Sequence, residues 1–446
     1  MGKKLPLWIK IVYGVPQAGI FLTDQIVIAW VFYFFTTGAL DGSALVPPAI
    51  VGGIFFFGRV VDAVADPVIA RFSDNFDSPW GRRIPFMAVS GVLKIIIFIA
   101  LFHPLLYEET IWNGVYLAVL LFFYFIFFTA YVCPYLALIP ALAPTNSERV
   151  DLSTFKAAFG MLGAGGALIG SGIMIEIYGF QGMAWIMGLL ALVLLYVPMF
   201  IREKEFSQSE PATFGLIEAV KNTLQNRPFI FYLVGCVSFW FGGNIVMLSL
   251  PFYVTVLLGE GEATTSLFFG AAGALAAIAF PFINLYSKKW GLKAMMMFSM
   301  LILTIILPAA FFMGQPLWGI DPLIIALVAV SIAGIPIAIL FIVPDALVAS
   351  ISDFDEKNTG QRREAMYFGI QGLVMKIAFG LSSALMGGLF QLYGQTPEQP
   401  LGVQLTGPVA AVFVLIGLII FSRYPEKEVV ACQKAEAGIE EESLGA

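Results

Sequence analysis

The chain has 446 residues, 59% hydrophobic and only 12% charged, with a net charge of −6 and a mean hydropathy of +0.89. Soluble domains carry roughly 25% charged residues, so this composition excludes a water-exposed globular protein and leaves a polytopic membrane protein. Cys133 and Cys236 lie in apolar segments and Cys432 in the tail, which implies no disulfide framework, and a single histidine, His103, argues against a histidine-built metal centre or catalytic triad.

Taken in order, the apolar runs predict an all-α protein with twelve spans: 9–36, 45–70, 84–106, 112–140, 151–178, 182–201, 228–258, 264–287, 294–313, 322–350, 363–392 and 404–423. Each is near or above the roughly 20 residues a bilayer requires. Lys3 and Lys4 precede an apolar run with no small-residue cleavage site, which reads as a first transmembrane helix. The tenth span is interrupted by Pro336 and Pro344. Residues 202–227 form the longest polar stretch between spans. The expected organisation is therefore a six-helix half over 1–201, a cytoplasmic middle loop over 202–227, a second half over 228–424 and a cytoplasmic tail over 425–446. Lys and Arg fall in the loops on one side of this arrangement, while the other side carries Asp41, Glu108, Glu109, Glu260, Glu262, Asp321 and Glu398. The positive-inside rule then puts both termini in the cytoplasm.

The second span carries Arg59, Asp62 and Asp66, three and four residues apart, hence on one helical face. Ionisable groups at membrane depth cost roughly 2.5–3.5 kcal/mol each on insertion scales, so they face protein or water and have a use. Asp24 in the first span and Lys94 near the middle of the third are isolated charges of the same kind. Lys156, Lys376 and Asp345 are read as buried in the fifth, eleventh and tenth spans. The glycines from Gly160 to Gly172 lie inside the fifth span, where small residues permit close helix packing rather than nucleotide binding.

Several runs, in order along the chain, look like one family. They are Asp62-Ala-Val-Ala-Asp66-Pro67, Ser73-Asp74 and Gly81-Arg82-Arg83-Ile-Pro85, then Tyr135-Leu-Ala-Leu-Ile-Pro140 with Glu148-Arg149. Asp353-Phe-Asp355-Glu356 and Gly360-Gln-Arg362-Arg363-Glu364-Ala-Met-Tyr367 follow. Together they resemble the glycoside–pentoside–hexuronide:cation symporters, the melibiose-permease-like branch of the major facilitator superfamily, over about 1–425. The resemblance implies two six-helix halves working by alternating access. It matches Asp62 and Asp66 to carboxylates that hold a coupling Na⁺, Li⁺ or H⁺, and Thr129 to a threonine that helps ligate Na⁺. Lys376 falls where the family keeps a lysine, and Arg59 joins it as a coupling residue. A hard cation wants oxygen ligands, which these residues supply. The family's sugar-gripping aspartates fall at Phe21 and Val132, its tryptophans at Leu136 and Ile342, and its fifth-helix arginine at Lys156; Ala65 stands between the two aspartates where a polar residue is expected. A galactoside is therefore not expected, and the choice between Na⁺ and H⁺ stays open.

The replacement substrate contacts read from the sequence are Asp24, Gln17, Lys94, Tyr131, Tyr135, Lys156, Trp240, Asn244, Asp345 and Gln371. Asp74, Arg82, Arg83, Arg149, Asp353, Arg362, Arg363 and Glu364 are read as a cytoplasmic gate built from conformation-dependent salt bridges. The expected function is cation-coupled symport of a sugar, glycoside or sugar acid at the plasma membrane, the inner membrane if bacterial. Its expected partners are the small solute, a monovalent cation and the bilayer, with no nucleic acid, no cofactor beyond the coupling ion, no metal, no catalytic residue and a monomeric state. The second reading keeps the mechanism and changes the cargo to a lysophospholipid or other amphipathic solute, a cargo the Phe-rich first span and lost sugar aspartates favour. A polytopic enzyme or receptor would require a polar catalytic cluster or a sizeable soluble domain, neither of which is visible.

Overall fold

The computed structural model describes residues 5–37, 44–74, 76, 78, 80–143, 145–201, 223, 225–316, 319–359 and 364–430, and among them the regular elements are helices. They run α1 (Leu7–Ile26), α2 (Phe32–Thr37), α3 (Pro48–Asp74), α4 (Ile84–Ala100), α5 (Ile111–Leu142) and α6 (Asn146–Tyr196). Then come α7 (Arg227–Phe252), α8 (Glu262–Trp290), α9 (Leu292–Ile306), α10 (Pro322–Ile332), α11 (Gly334–Leu340), α12 (Val343–Thr359), α13 (Glu364–Tyr393) and α14 (Leu401–Phe421). A π-helical turn, Val27–Val31, joins α1 to α2, and another, Tyr253–Leu257, extends α7.

Ten helical segments among the described residues are long and apolar enough to cross a bilayer, and α4 is a further apolar helix just below that length. One of the ten, Glu148–Phe200, spans 53 residues and is broken at Gly179, whose φ of +70° only glycine adopts at low cost. Dividing it there and adding α4 gives twelve apolar segments.

Local chemistry explains the ends. Thr145 is the N-cap of α6, its Oγ1 accepting from the Glu148 N–H, while the Glu148 carboxylate accepts from the Thr145 hydroxyl and from the Leu5 N–H, each at 3.0 Å. Asp321 Oδ1 caps α10 at 2.8 Å, with Pro322 in the first turn where no N–H is needed. The third span stops at Ala100 rather than 106, because the following His103-Pro104 pair disfavours helix. The tenth does not end at 350: α12 continues to Thr359, so Asp353 and Lys357 are helical, not loop, residues.

Residues 1–212, 247–270 and 383–403 form one compact unit, and residues 213–246, 271–382 and 404–446 form another. This division does not follow the middle loop. The first unit takes in the end of α7, the start of α8 and the end of α13, because aromatic side chains of α2 pack on them. Tyr33 meets Phe252 at 5.1 Å between ring centroids, Phe32 meets Phe390 at 6.0 Å, and Gln395 donates to the Thr36 carbonyl at 2.6 Å.

Within the first unit α1 lies against α6 at backbone distance. A Cβ at Gly163 would strike the Ala18 backbone, and one at Gly19 would stand 3.0 Å from the Ala191 carbonyl. Gly163 and Gly172 of the fifth span are thus packing residues, as read, while Gly165 faces open space. At the far end of α3, a Cβ on Gly52 would sit 2.6 Å from the Ser383 carbonyl, and one on Gly387 would collide with the Pro48 carbonyl. In the second unit α9 packs on α11 and α12. There Asn244 of α7 donates to Ser382 Oγ of α13 at 2.7 Å, and Phe241 stacks at 4.3 Å on Phe413 of α14.

Replacing Gly387 with leucine should lower the stability of the purified protein by about 1–3 kcal/mol, read as a fall in melting temperature. Gly53→Ala, where nothing lies within 4 Å of an added Cβ, is the control and should leave the melt unchanged or raise it. Equal melts for the two would contradict the backbone contact.

Candidate functional site: a buried carboxylate centre between α3 and α5

Two rows of side chains meet where α3 crosses α5. Arg59, Asp62 and Asp66 form one row, and Phe125, Thr129 and Cys133, each four residues apart, form the other. Asp62 is fully buried and accepts a 2.7 Å hydrogen bond from Thr129 Oγ1. Arg59 Nη1 stands 3.6 Å from Asp62 Oδ2, beyond hydrogen-bond length. The guanidinium carbon of Arg59 also lies 4.7 Å from the Phe125 ring centroid, a cation–π contact. Arg59 thus balances the carboxylate from 3.6 Å while resting on an aromatic face, a looser pairing than a cation bound directly to the carboxylate oxygens would make. Asp66, one turn on and half-buried, is 3.8 Å from Cys133 Sγ. Pro67 brings no N–H, so the carbonyl of Ala63 loses its usual intrahelical donor beside the two aspartates. The donor set is oxygen-rich, as a hard cation requires.

A second charged pair lies nearby in the same unit. Lys94 of α4 is fully buried, with Nζ 5.1 Å from the Phe128 centroid and 5.6 Å from that of Tyr124. Asp24 of α1 is its electrostatic partner. Buried Tyr124 stands in the field of Asp24, Arg59 and Asp62 together, so it links the two pairs.

The remaining sequence-read residues separate by position. Gln17 is half-buried on α1 against Gly160, and Lys156 and Lys376 are half-buried rather than buried. Asp345 is exposed near the start of α12, a correction to its reading as a buried group, because the helix breaks at Phe341–Ile342 just before it. Tyr131 and Tyr135 are fully buried, and their hydroxyls donate to the carbonyls of Leu195 at 2.5 Å and Tyr13 at 2.9 Å. Both hydroxyls are thus held by backbone carbonyls within the first unit. In the second unit Trp240 meets Phe379 edge-on, Asn244 is committed to α13, and Gln371 is half-buried with its Nε2 3.7 Å from Met375 Sδ.

Of the residues read as a gate, Arg82 is exposed and Arg83 is nearly buried at the start of α4. Arg149 donates to the Ala143 carbonyl at the α5 C-terminus, where a cation suits the helix dipole. Asp353 is half-buried in α12. Asp74 ends α3 and Glu364 begins α13, while Arg362 and Arg363 lie outside the described residues. Sequence reading missed Phe125, Cys133, Tyr124 and Phe128. The signal was spacing: Phe125 and Cys133 stand four residues either side of Thr129, and Tyr124 and Phe128 form a second four-residue pair one position earlier.

The described residues form helices, ten segments of which are long and apolar enough to cross a bilayer, and the first unit holds a buried acid–base centre. The chain belongs to the family described as MFS/sugar transport protein, which matches residues 12–426. It is 22% identical to the uncharacterised symporter sll1374 of Synechocystis sp., with 95% of each chain covered. It is 23% identical to the sodium-dependent lysophosphatidylcholine symporter 1 of Xenopus tropicalis, covering 89% of this chain and 83% of that one. Among solved structures it shares its fold with the nucleoside transporter NupG, at a TM-score of 0.67 and 13% identity over 93% of this chain and 99% of the other. The family resemblance read from the motifs therefore holds, and the protein is a multi-pass transporter of the major facilitator class.

Thr129→Val keeps the volume and removes the hydroxyl from Asp62. Loss of one hydrogen bond to a buried charge costs about 1.5–3 kcal/mol, so the cation concentration for half-maximal uptake should rise roughly tenfold or more. An unchanged cation dependence would rule Thr129 out of the site.

Proposed function

We propose that the protein is a cation-coupled symporter of a sugar, glycoside or sugar acid, with Asp62, Asp66 and Thr129 holding the coupling Na⁺ or H⁺. The observation that carries this reading is the fully buried Asp62, held by Thr129 and faced by Arg59. A carboxylate buried at membrane depth is costly, and a transporter recovers a use from it by loading and unloading a cation there. Arg59 is the coupling residue within the site: a bound cation takes over part of its charge-balancing role, and the occupied and empty states then differ in their contacts. Lys376 on α13 is assigned to coupling on the family resemblance. The protein is placed in the plasma membrane (the inner membrane of a bacterium), with both termini cytoplasmic and the monomer as the working unit. Arg82, Arg83, Arg149 and Asp353 are assigned to the gate on the expectation that they lie on the cytoplasmic side.

The second reading, a lysophospholipid as cargo, is supported by the likeness to the lysophosphatidylcholine symporter and by Phe21 standing where the sugar-binding relatives keep an aspartate.

Uptake into proteoliposomes, driven in turn by a Na⁺ and an H⁺ gradient, tests the reading. Asp62→Asn and Asp66→Asn should each abolish gradient-driven accumulation, and one of the two gradients should drive the wild type far better than the other. Accumulation that survives both substitutions would overturn the assignment of the cation site.

A further inference from the structure

Lys94 is the most costly side chain in the first unit that the cation site leaves unexplained. It sits ten residues from the first residue of α4 and six from the last, fully buried. Its ammonium has no hydrogen-bond partner among the described residues. An ammonium carries three donors and no acceptor. The rings of Phe128 and Tyr124, at 5.1 and 5.6 Å, return part of the desolvation cost through their faces but fill none of those donors. Asp24 offsets the charge electrostatically. The arrangement keeps a cation dry against two aromatic rings one turn apart on α5, with its directional bonding capacity unspent. Asp24 and Phe128 are themselves only half-buried, whereas Lys94 is fully buried.

We propose that Lys94 is an anion receptor, so the carried solute bears a carboxylate or phosphate oxygen, and that Asp24 is the counter-charge the solute displaces. This rests on the symport reading above and narrows its cargo. Ammonium-to-oxyanion hydrogen bonds are short and roughly twice as strong as neutral ones, which makes an oxyanion the ligand that best uses three idle donors. The exchange also couples the two sites. Once a solute anion occupies Lys94, Asp24 loses its balancing charge, and Lys94 and Arg59 rest on the neighbouring α5 rings of Tyr124 and Phe125, so the added negative charge lies close to the Arg59–Asp62 pair. The local field then favours a cation at Asp62, and by linkage the cation favours the anionic solute.

The test uses full-length protein in proteoliposomes and solute pairs that differ in the oxyanion: methyl glucuronide against methyl glucoside, and lysophosphatidylcholine against monoacylglycerol. Uptake reads the first pair and thermal stabilisation by bound solute reads the second; the responding pair identifies the source of the anion. The charged member should be preferred. Lys94→Gln should reduce its uptake or binding about tenfold or more, while the cation-induced rise in melting temperature persists. Lys94→Arg should retain part of the function. Asp24→Asn should act in the opposite sense, lowering KM for the charged solute while weakening the solute's effect on cation affinity. Should Lys94→Gln fail to fold, Lys94→Arg and Asp24→Asn carry the test through those opposite shifts. Equal handling of charged and neutral members, or a folded Lys94→Gln with undiminished preference for the charged one, overturns the proposal and leaves the symport reading intact. Loss of the cation response together with the solute response makes Lys94 structural and also overturns it. If no member of either pair accumulates or stabilises the wild type under either cation, the symport reading falls and this proposal with it.

Discussion

A carboxylate at the depth of a bilayer has no water to retreat to, and the arrangement of the first unit follows from that constraint on Asp62. Its charge must be met by protein groups at fixed positions, which sets how α3 faces α5. Thr129 supplies a hydrogen bond from one helix and Arg59 a charge from the other, while Phe125 gives the guanidinium an apolar bed. The contact works because both rows repeat at helical spacing, three and four residues on α3 and four on α5. Turning α3 by one residue, about 100°, would carry Asp62 off the α5 face. Helix orientation in a membrane is weakly specified by apolar packing alone, since lipid is as apolar as leucine. The buried charges therefore act as registration marks as well as functional groups.

The first unit holds two such marks, and they differ in chemistry. The pair on α3 is oxygen-rich and suited to a small hard ion. The pair on α1 and α4 is built from an acid, a base and aromatic faces, which suits a larger and less spherical partner. Tyr124 on α5 lies within the field of both. Because the two clusters use different residues on α5, each can change without dismantling the other. The sequence shows this directly, in keeping both aspartates of the second span while placing Phe21 and Val132 where the resembled family grips its sugar.

Much of this was legible without coordinates. Apolar runs mark spans because the bilayer demands length, and charges inside such runs mark function because lipid penalises them. The family motifs located Asp62, Asp66 and Thr129 before their contacts were known. Other features left no trace of the right kind. The continuation of α12 to Thr359 is polar, and hydropathy has nothing to say about a helix once it leaves the lipid. Asp345 read as buried because its neighbours are apolar, whereas a break at Phe341–Ile342 turns it outward. Tyr131 and Tyr135 looked like substrate platforms, since an aromatic with a hydroxyl does not reveal whether a backbone carbonyl already accepts from it. The α5 row was present as a spacing, but Phe and Cys carry no obvious chemistry until a charged row is laid beside them. The grouping of residues 247–270 and 383–403 with the first six spans depends on contacts between segments far apart in the chain, which no local pattern encodes.

The meeting of Gly52 and Gly387 has a mechanical consequence. Helices that interlock through side chains must unthread them to change angle, and each unthreading is a barrier. Here the crossing of α3 and α13 is backbone against backbone, with Pro48 and Ser383 carbonyls where side chains would otherwise stand. Such a crossing behaves as a bearing: smooth, close and without teeth. It holds two rods at a fixed separation while resisting rotation about the point of contact very little. A protein whose work is to tilt helices against one another has reason to place its bare backbone at the fulcrum.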